Sequence, residues 1–238
     1  MATELKKFLD AKKTTTRLLG DVERYLMRRP LDDRRQDVLH PSEIIKPDWC
    51  HRYSYHLLTG GEANRTKPNL RLQNIFDEGH YIHAKWQSRF QAMNVLYGKF
   101  ECLACQVMTI GISPACKDCG RKDVMEYREV TLVDDNLRIA GHTDGWIKDI
   151  GDDCLIEIKS IGAGTLRFEA PDILADAGGD MTKAFNNIRR PFRSHLLQGQ
   201  MYLELAHRMY GAEAPKEIVF LYENKADQAT KEFTVKAD

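Results

Sequence analysis

Gly141-His-Thr-Asp144, followed after twelve residues by Glu157-Ile-Lys159, is the stretch on which the reading of this chain turns. Around it, residues 137–150 alternate as a strand and residues 153–160 as another, with Gly151-Asp152-Asp153 as the hairpin turn between them. Strand side chains alternate with period 2, so Glu157 and Lys159 point to one side. Cys154, Ile156 and Ile158 point to the other, toward a core. Two adjacent strands ending in a turn can bring Asp144 beside Glu157. Two carboxylates and an ammonium on one face suit a divalent ion and a phosphate, because hard cations take oxygen ligands. Such an ion acidifies bound water and clamps phosphate oxygens, and Lys159 would orient the water or stabilise developing charge. The bland alternative is a surface hairpin with a scattered Asp, Glu and Lys, since E-x-K alone is a weak signal.

Outward from this hairpin, residues 126–133 read as a further strand. Residues 70–95 read as a helix with apolar positions Leu72, Ile75, Phe76, Ile82, Trp86, Phe90 and Met93 on one face. Gly79 and His83 lie on that stripe, which gives up packing there and needs a reason. Taken alone, His83 reads as a satisfied core histidine. Residues 1–38 are charged and read as helical, with Leu5, Phe8, Leu9, Leu18, Leu19, Val22 and Tyr25 as an apolar scatter. His40-Pro-Ser-Glu reads as a helix start that Ser42 can cap. Residues 60–68 are a polar loop. Residues 181–188 and 194–210 read as helices, and 217–222 and 231–235 as final strands. Helices, a meander, then helix and strands make a mixed α/β or α+β order.

Four motifs now stand in sequence: Gly79-His-Tyr-Ile-His83 on a helix, Gly141-His-Thr-Asp144 and Glu157-Ile-Lys159 on strands, and Gln198-Gly-Gln-Met-Tyr202 on a helix. In kind, order and element type they resemble the PD-(D/E)xK nuclease superfamily, in its RecB-like exonuclease branch of phage and prokaryotic type. The resemblance covers residues 79–202. It implies a restriction-endonuclease-like core, an α/β (α+β) fold with a mixed central sheet flanked by helices. It also implies His83, Asp144 and Glu157 as ligands of a catalytic Mg²⁺ or Mn²⁺, the Ile158 carbonyl as a further ligand, and Lys159 as the catalytic cation. Gln198 and Tyr202 would approach the active site and the DNA; otherwise they are ordinary helix-surface residues. They are four apart and share a helical face. Glu78 and His80 are expected to surround the ligands, and His142 is a weaker candidate.

The segment from Ser42 to Tyr53, with Cys50-His-Arg52, also resembles the opening of related nucleases. Their iron–sulfur members add a cysteine trio near the C-terminus. After Cys119 this chain has only Cys154, so no cluster is expected, and Cys50 is expected as a buried small hydrophobe. Cys102-Leu-Ala-Cys105 and Cys116-Lys-Asp-Cys119 are two C-x-x-C knuckles separated by ten residues. That spacing matches a structural Zn²⁺ held by four thiolates, with no position left for a catalytic water. The expected organisation is a single nuclease domain over 1–238 with a zinc-ribbon insertion at 100–122. Lys117, Arg121 and Lys122 at its tip could touch a phosphate backbone; the bland reading is a stability staple.

The 238 residues suit one large domain, or one with an insertion. A hydrophobic fraction of 42% with 29% charged excludes a disordered or fibrous chain. Nothing approaches the ~20 apolar residues of a membrane span, and the N-terminus lacks the apolar core of a signal peptide. A cytoplasmic location, in a prokaryotic cell or phage-infected host, is expected. Lys plus Arg and Asp plus Glu both total 35, which neither announces nor excludes a nucleic-acid partner. Residues 189–193 are basic and 144–157 acid-rich. The resemblance implies a metal-dependent deoxyribonuclease that hydrolyses phosphodiester bonds, first of all an exonuclease of recombination, repair or phage DNA metabolism. DNA is the expected partner, recombination or replication proteins are further candidates, and no membrane is involved. The alternatives are a structure-selective or site-specific endonuclease, or a non-catalytic zinc-ribbon nucleic-acid-binding module; the complete motif set argues against the last. The family fold often continues with a helix, whereas this sequence stops about three residues beyond Val235, leaving room for a longer natural chain.

Overall fold

A computed structural model describes residues 18–30, 35, 37–61 and 66–238. The expected apolar positions Leu5, Phe8 and Leu9 lie outside the described residues. The described residues fall into two compact units, one within 1–34 and 64–78, the other within 35–63 and 79–238. In the first, helix α1 (Leu19–Arg28) exposes Leu19, Val22 and Tyr25. Its last carbonyls are met by Lys67, whose Nζ donates to Met27 O and Arg29 O at 2.6 and 2.7 Å. A cation there satisfies orphan carbonyls and complements the helix dipole.

In the second unit, the short helix α2 (Pro41–Ile44) is followed by α3 (His51–Leu58). Ser42 is not the cap: His40 stands at the N-cap and Pro41 takes the first helical position, where its missing N–H costs nothing. The His40 ring is tied to Ala140 O and Arg35 O instead. Cys50 is exposed, not buried, because it stands at the N-cap of α3, its sulfur accepting from Tyr53 N at 3.4 Å. The long helix α4 (Leu70–Ala92), of which residues 79–92 belong to this unit, is followed by the left-handed Asn94, φ 63°. Its apolar stripe is not one continuous core face. Leu72, Ile75, Phe76 and Met93 are exposed; the packed positions are Ile82, Trp86 and Phe90, each one turn from the next.

The sheet of this unit comprises β1 (Leu96–Cys102), β2 (Met108–Ile112), β3 (Met125–Arg128), β6 (Gly145–Ile147), β7 (Cys154–Ile161), β8 (Glu217–Asn224) and β9 (Thr230–Lys236), while β4 (Val130–Asp134) and β5 (Ile139–Thr143) form a separate ribbon. The sheet order is β2-β1-β6-β7-β8-β9, and β3 shares with β6 the other edge of β1. Only β7 and β8 run parallel, so the sheet is mixed. A parallel link needs a crossover, made here by α5 (Ala163–Glu169), α6 (Pro171–Asp176), α7 (Met181–Asn187) and α8 (Arg193–Tyr210). Side-chain alternation divides the core in two. Leu155, Ile218, Phe220 and Tyr222 meet Tyr202, Leu203 and Ala206 of α8. Ile156, Ile158, Val219 and Leu221 lie with Ile82 of α4. The result is a mixed α/β fold, a central sheet with helices on both faces. No described helix is long and apolar enough to cross a membrane.

The two long strands expected at 126–133 and 137–150 are each broken. One is interrupted at Glu129 between β3 and β4, the other at Asp144 between β5 and β6. On one side of each break the chain stays with the sheet; on the other it peels off into the β4–β5 ribbon, whose Val130 and Leu132 pack with the α8 core. Val130 pairs with Thr143, so Glu129 and Asp144 continue that register at the end of the ribbon.

Candidate active site

Asp144 sits where β5 gives way to β6. It is 6% exposed, and its two oxygens have different partners. Oδ2 accepts the Ile158 backbone N–H at 2.6 Å, and Oδ1 lies 3.1 Å from Nδ1 of His83 on α4. The pairing of β6 with β7 places Gly145 opposite Ile156, which brings Asp144 beside Glu157 and Ile158. Glu157 is 4% exposed. Its Oε1 accepts from Lys159 Nζ at 2.7 Å, while Oε2 is buried and has no hydrogen-bond partner among the described residues. Lys159 also donates to Gln198 Oε1 at 3.0 Å, and Gln198 Nε2 donates to the Tyr202 hydroxyl at 2.8 Å. Gln198 and Tyr202 are both buried, not helix-surface residues.

Among the described residues, His83, Glu129 and Asp144 present ligand atoms all within 4.8 Å of one another. Glu157 stands next to this trio; its charge acts on His83, and Asp144 acts on it. Glu129 was missed in the sequence because nothing in Arg128-Glu129-Val130 resembles a motif. The available signal was its strand register with Asp144. Gln87, one turn after His83, donates to Glu129 Oε1 at 3.3 Å and to the Asp144 carbonyl at 2.9 Å. Glu78, His80 and His142 are exposed.

The site is electrostatically loaded. Burial drives the Glu157 carboxyl up to about 7, with the Asp144 charge adding to the rise against the opposing pull of Lys159. Burial, then Asp144, also raises Glu129. Burial pulls the His83 imidazole down, but Asp144, Glu157 and Glu129 together outweigh it and leave it above its ordinary value. Clustered acids with one orphaned buried oxygen suit a divalent cation, because an uncompensated buried charge is costly.

Helix α4 is held by a second buried acid. Glu223 on β8 is 1% exposed and accepts from Lys85 Nζ at 2.5 Å and Trp86 Nε1 at 2.7 Å. These donors follow His83 by two and three residues and tie its helix to the sheet. At the start of α8, Phe192 N donates to Oη of Tyr222 on β8 at 2.9 Å, and the same hydroxyl lies 2.6 Å from His195 Nδ1. Burial and the Lys159 charge lower the His195 imidazole to about 3.

The four cysteines form a second cluster. Cys102 closes β1 and is buried, as is Cys116; Cys105 and Cys119 are exposed. All four sulfurs lie within 4.8 Å of one another. Cys102 Sγ and Cys119 Sγ are 3.8 Å apart, which matches the edge of about 3.8 Å in a tetrahedron with Zn–S arms of ~2.3 Å. Backbone N–H groups of Cys119 and Asp118 lower the Cys116 thiol to about 7, whereas the neighbouring thiols push Cys105 up to about 12. The segment is continuous with the sheet: residues 100–102 belong to β1 and 108–112 form β2. Lys117, Arg121 and Lys122 are exposed, and Arg121 is paired with Asp123 at 2.6 Å.

The chain matches no protein-family model and no curated protein. Among solved structures it is similar to the crystal structure of SSO0001, at 12% identity and a TM-score of 0.39 over 92% of this chain and 75% of the other. It is also similar to an alkaline exonuclease (LHK-Exo) from Laribacter hongkongensis, at 13% identity and a TM-score of 0.40 over 86% of this chain and 79% of the other.

Proposed function

We propose that the chain is a metal-dependent deoxyribonuclease of the PD-(D/E)xK superfamily, RecB-like branch, acting as an exonuclease in recombination, repair or phage DNA metabolism. The observation that carries this reading is that four motifs scattered over residues 79–202 meet as one run of contacts. His83 touches Asp144, Asp144 touches the Ile158 backbone beside Glu157, and Lys159 joins Glu157 to Gln198 and so to Tyr202. His83, Asp144, Glu157 and the Ile158 carbonyl would hold Mg²⁺ or Mn²⁺. Such an ion supplies a water acidified toward hydroxide and a clamp for phosphate oxygens.

The chain's own groups do the rest. The Lys159 ammonium steadies the attacking water and the negative charge that develops on the phosphate. Gln198 fixes that ammonium from the α8 side, and the Tyr202 hydroxyl holds the Gln198 amide in turn. Cys102, Cys105, Cys116 and Cys119 hold a structural Zn²⁺, because four thiolates close the tetrahedron and leave no position for a reacting water.

Digestion of end-labelled linear DNA and of covalently closed circles, each with Mg²⁺ or Mn²⁺, tests the reading. Label should be released from linear DNA while circles persist. Cleavage of circles would assign an endonuclease. Inactivity with both ions on double-stranded, single-stranded and branched DNA would replace the enzyme with a zinc-ribbon binding module.

A further inference from the structure

We propose that Arg189, Arg190 and Arg193 grip the phosphate backbone of the DNA that enters the site, and that Tyr222 fixes their distance from Lys159. This rests on the nuclease reading and deepens it by naming where the substrate strand is held.

The three arginines lie on the link between α7 and α8 and on the first residue of α8. The link is anchored at both ends. Ile188 and Phe192 are buried, while Arg189, Arg190 and Arg193 are exposed. Lys231 on β9 fastens it further, its Nζ donating to Asn186 O and Ile188 O at 2.7 Å each. Pro191 keeps Arg190 out of the helical region. One short, fixed stretch thus turns its apolar residues inward and its cations outward.

These guanidiniums stand without acids. Arg121, Arg128 and Arg208 each lie against a carboxylate. Among the described residues, none of the three on the link is paired with one. Glu169, which reaches Ser194 next to Arg193, accepts that residue's hydroxyl at 2.7 Å. Asp227 is held by Thr182 and Asn224. A fourth cation, Lys231, feels the Arg189 charge. Like charges gathered without counter-charges repel one another, and a polyanion relieves them. Planar guanidinium forks match phosphate oxygens.

One side chain ties the link to the catalytic lysine. Lys159 and Tyr222 are partners in the parallel β7–β8 register, so they stand one strand spacing apart, ~4.8 Å. Both side chains reach toward α8, Lys159 to Gln198 and Tyr222 to Phe192 and His195. The Tyr222 hydroxyl takes the Phe192 N–H at 2.9 Å, immediately before Arg193. Along α8, the five residues from Arg193 to Gln198 rise ~7.5 Å. One duplex strand presents a phosphate every ~3.4 Å. The arginines therefore fall about two phosphates from the one that Lys159 serves.

Fluorescence anisotropy of an end-labelled oligonucleotide tests the grip across a salt series, without added Mg²⁺ or Mn²⁺ so that the DNA stays whole. Each phosphate contact contributes ~0.7 (single strand) to ~0.9 (duplex) to the fall of log affinity with log salt. The triple variant Arg189→Gln/Arg190→Gln/Arg193→Gln should lose about 2–3 from that slope and ~10²–10³ in affinity at ~0.1 M salt. Arg189→Lys/Arg190→Lys/Arg193→Lys keeps the charge and should keep the slope. Lys216→Gln/Lys236→Gln, at the opposite end of β8, should bind as the parent does. Neutral methylphosphonates placed singly along the strand should weaken the parent about two phosphates from the position cut with Mg²⁺, and should be silent there in the Gln triple. Tyr222→Phe keeps the three charges but releases Phe192, so it should keep the slope and blur that pattern. Circular dichroism checks folding; should the Gln triple fail, Arg189→Gln/Arg190→Gln should lose about two-thirds as much slope. The grip is overturned if the folded Gln triple keeps the parental slope, or if the Lys triple loses as much as the Gln triple. The role of Tyr222 is overturned if Tyr222→Phe keeps the parental pattern. The nuclease reading survives these results provided the parent cleaves DNA. A parent that binds DNA through the arginines but never cleaves it keeps the grip and overturns the nuclease reading; one that neither binds nor cleaves overturns both.

Discussion

A Cβ built on Gly141 would lie 2.6 Å from Cε1 of Tyr202. The glycine that opens one motif is therefore bare because the tyrosine that closes another packs its ring against the backbone there, with Pro41 Cδ at 3.2 Å on the same side. Tyr202 holds Gln198, and Gln198 holds Lys159. Gly141→Ala should thus push the ring aside and disturb the lysine two contacts away. Overpacking of this kind costs ~1–3 kcal/mol, measurable by urea denaturation, and DNA cleavage should fall by more than stability alone explains. A Tyr202→Leu second change should recover part of the stability; purely additive effects would show that the two residues do not act together.

Lys159→Ala should reduce cleavage by ~10²–10³, the usual effect of removing one electrostatic stabiliser of a transition state. DNA affinity should change little, since it is spread over several phosphate contacts. Mn²⁺ should still bind, whereas Asp144→Ala should lose metal and activity together. Tyr202→Ala should be milder than either. Single-turnover rates with filter-binding affinities check the set; a folded Lys159→Ala with parental rate contradicts the assignment.

The cysteine cluster should contain one zinc per chain by elemental analysis. Because Cys102 and Cys116 are buried with Phe100, Met125 and Ile147, loss of the ion should be felt in the sheet. If chelation removes about 4 kcal/mol, Tm should fall by roughly 8–16 °C for a chain of this size. Iron in place of zinc, or no response to chelation, would contradict a structural zinc site.

His195 should make the protein acid-sensitive. Its imidazole stays neutral in the fold down to about 3, but in the unfolded chain it charges below ~6.5. Between those values the unfolded state binds more protons, so stability rises with pH and is lost as pH falls. Thermal melts from pH 7 to pH 4 should show this decline, and His195→Gln, which cannot titrate, should show a shallower one. Equal slopes would remove His195 from the acid response.

Local pattern reached the hairpin at Gly151, the final strands and the α8 helix, because each is set by neighbouring residues. It also placed Glu157 and Lys159 on one face. It failed where tertiary contacts overrule periodicity. At Glu129 the alternation slips by one, from Met125 and Tyr127 to Val130 and Leu132, a slip that reading 126–133 as one strand passed over; at Asp144 it runs on, and there a change of partner leaves no mark on a period of two. The α4 stripe likewise extended past the residues that the sheet covers. Cys50 looked like a core residue by type alone, whereas its role at a helix start depends on the backbone of Tyr53. Gly79 shows a further limit: a Cβ there would meet Ser160 Oγ at 3.4 Å, an ordinary contact, so packing does not demand this glycine as it does Gly141.

Lys85, Trp86 and Glu223 have a consequence for how this sequence can drift. The buried Glu223 carboxylate is satisfied by two donors from one turn of α4. Replacing the acid alone strands two donors, and replacing either donor alone leaves a buried charge short of a partner. The three positions are thus coupled in descent: viable relatives should keep them together or exchange them together for an apolar set. That exchange would leave His83 adjacent to a re-seated helix turn, so the histidine's tolerance of it would decide whether the lineage kept its chemistry.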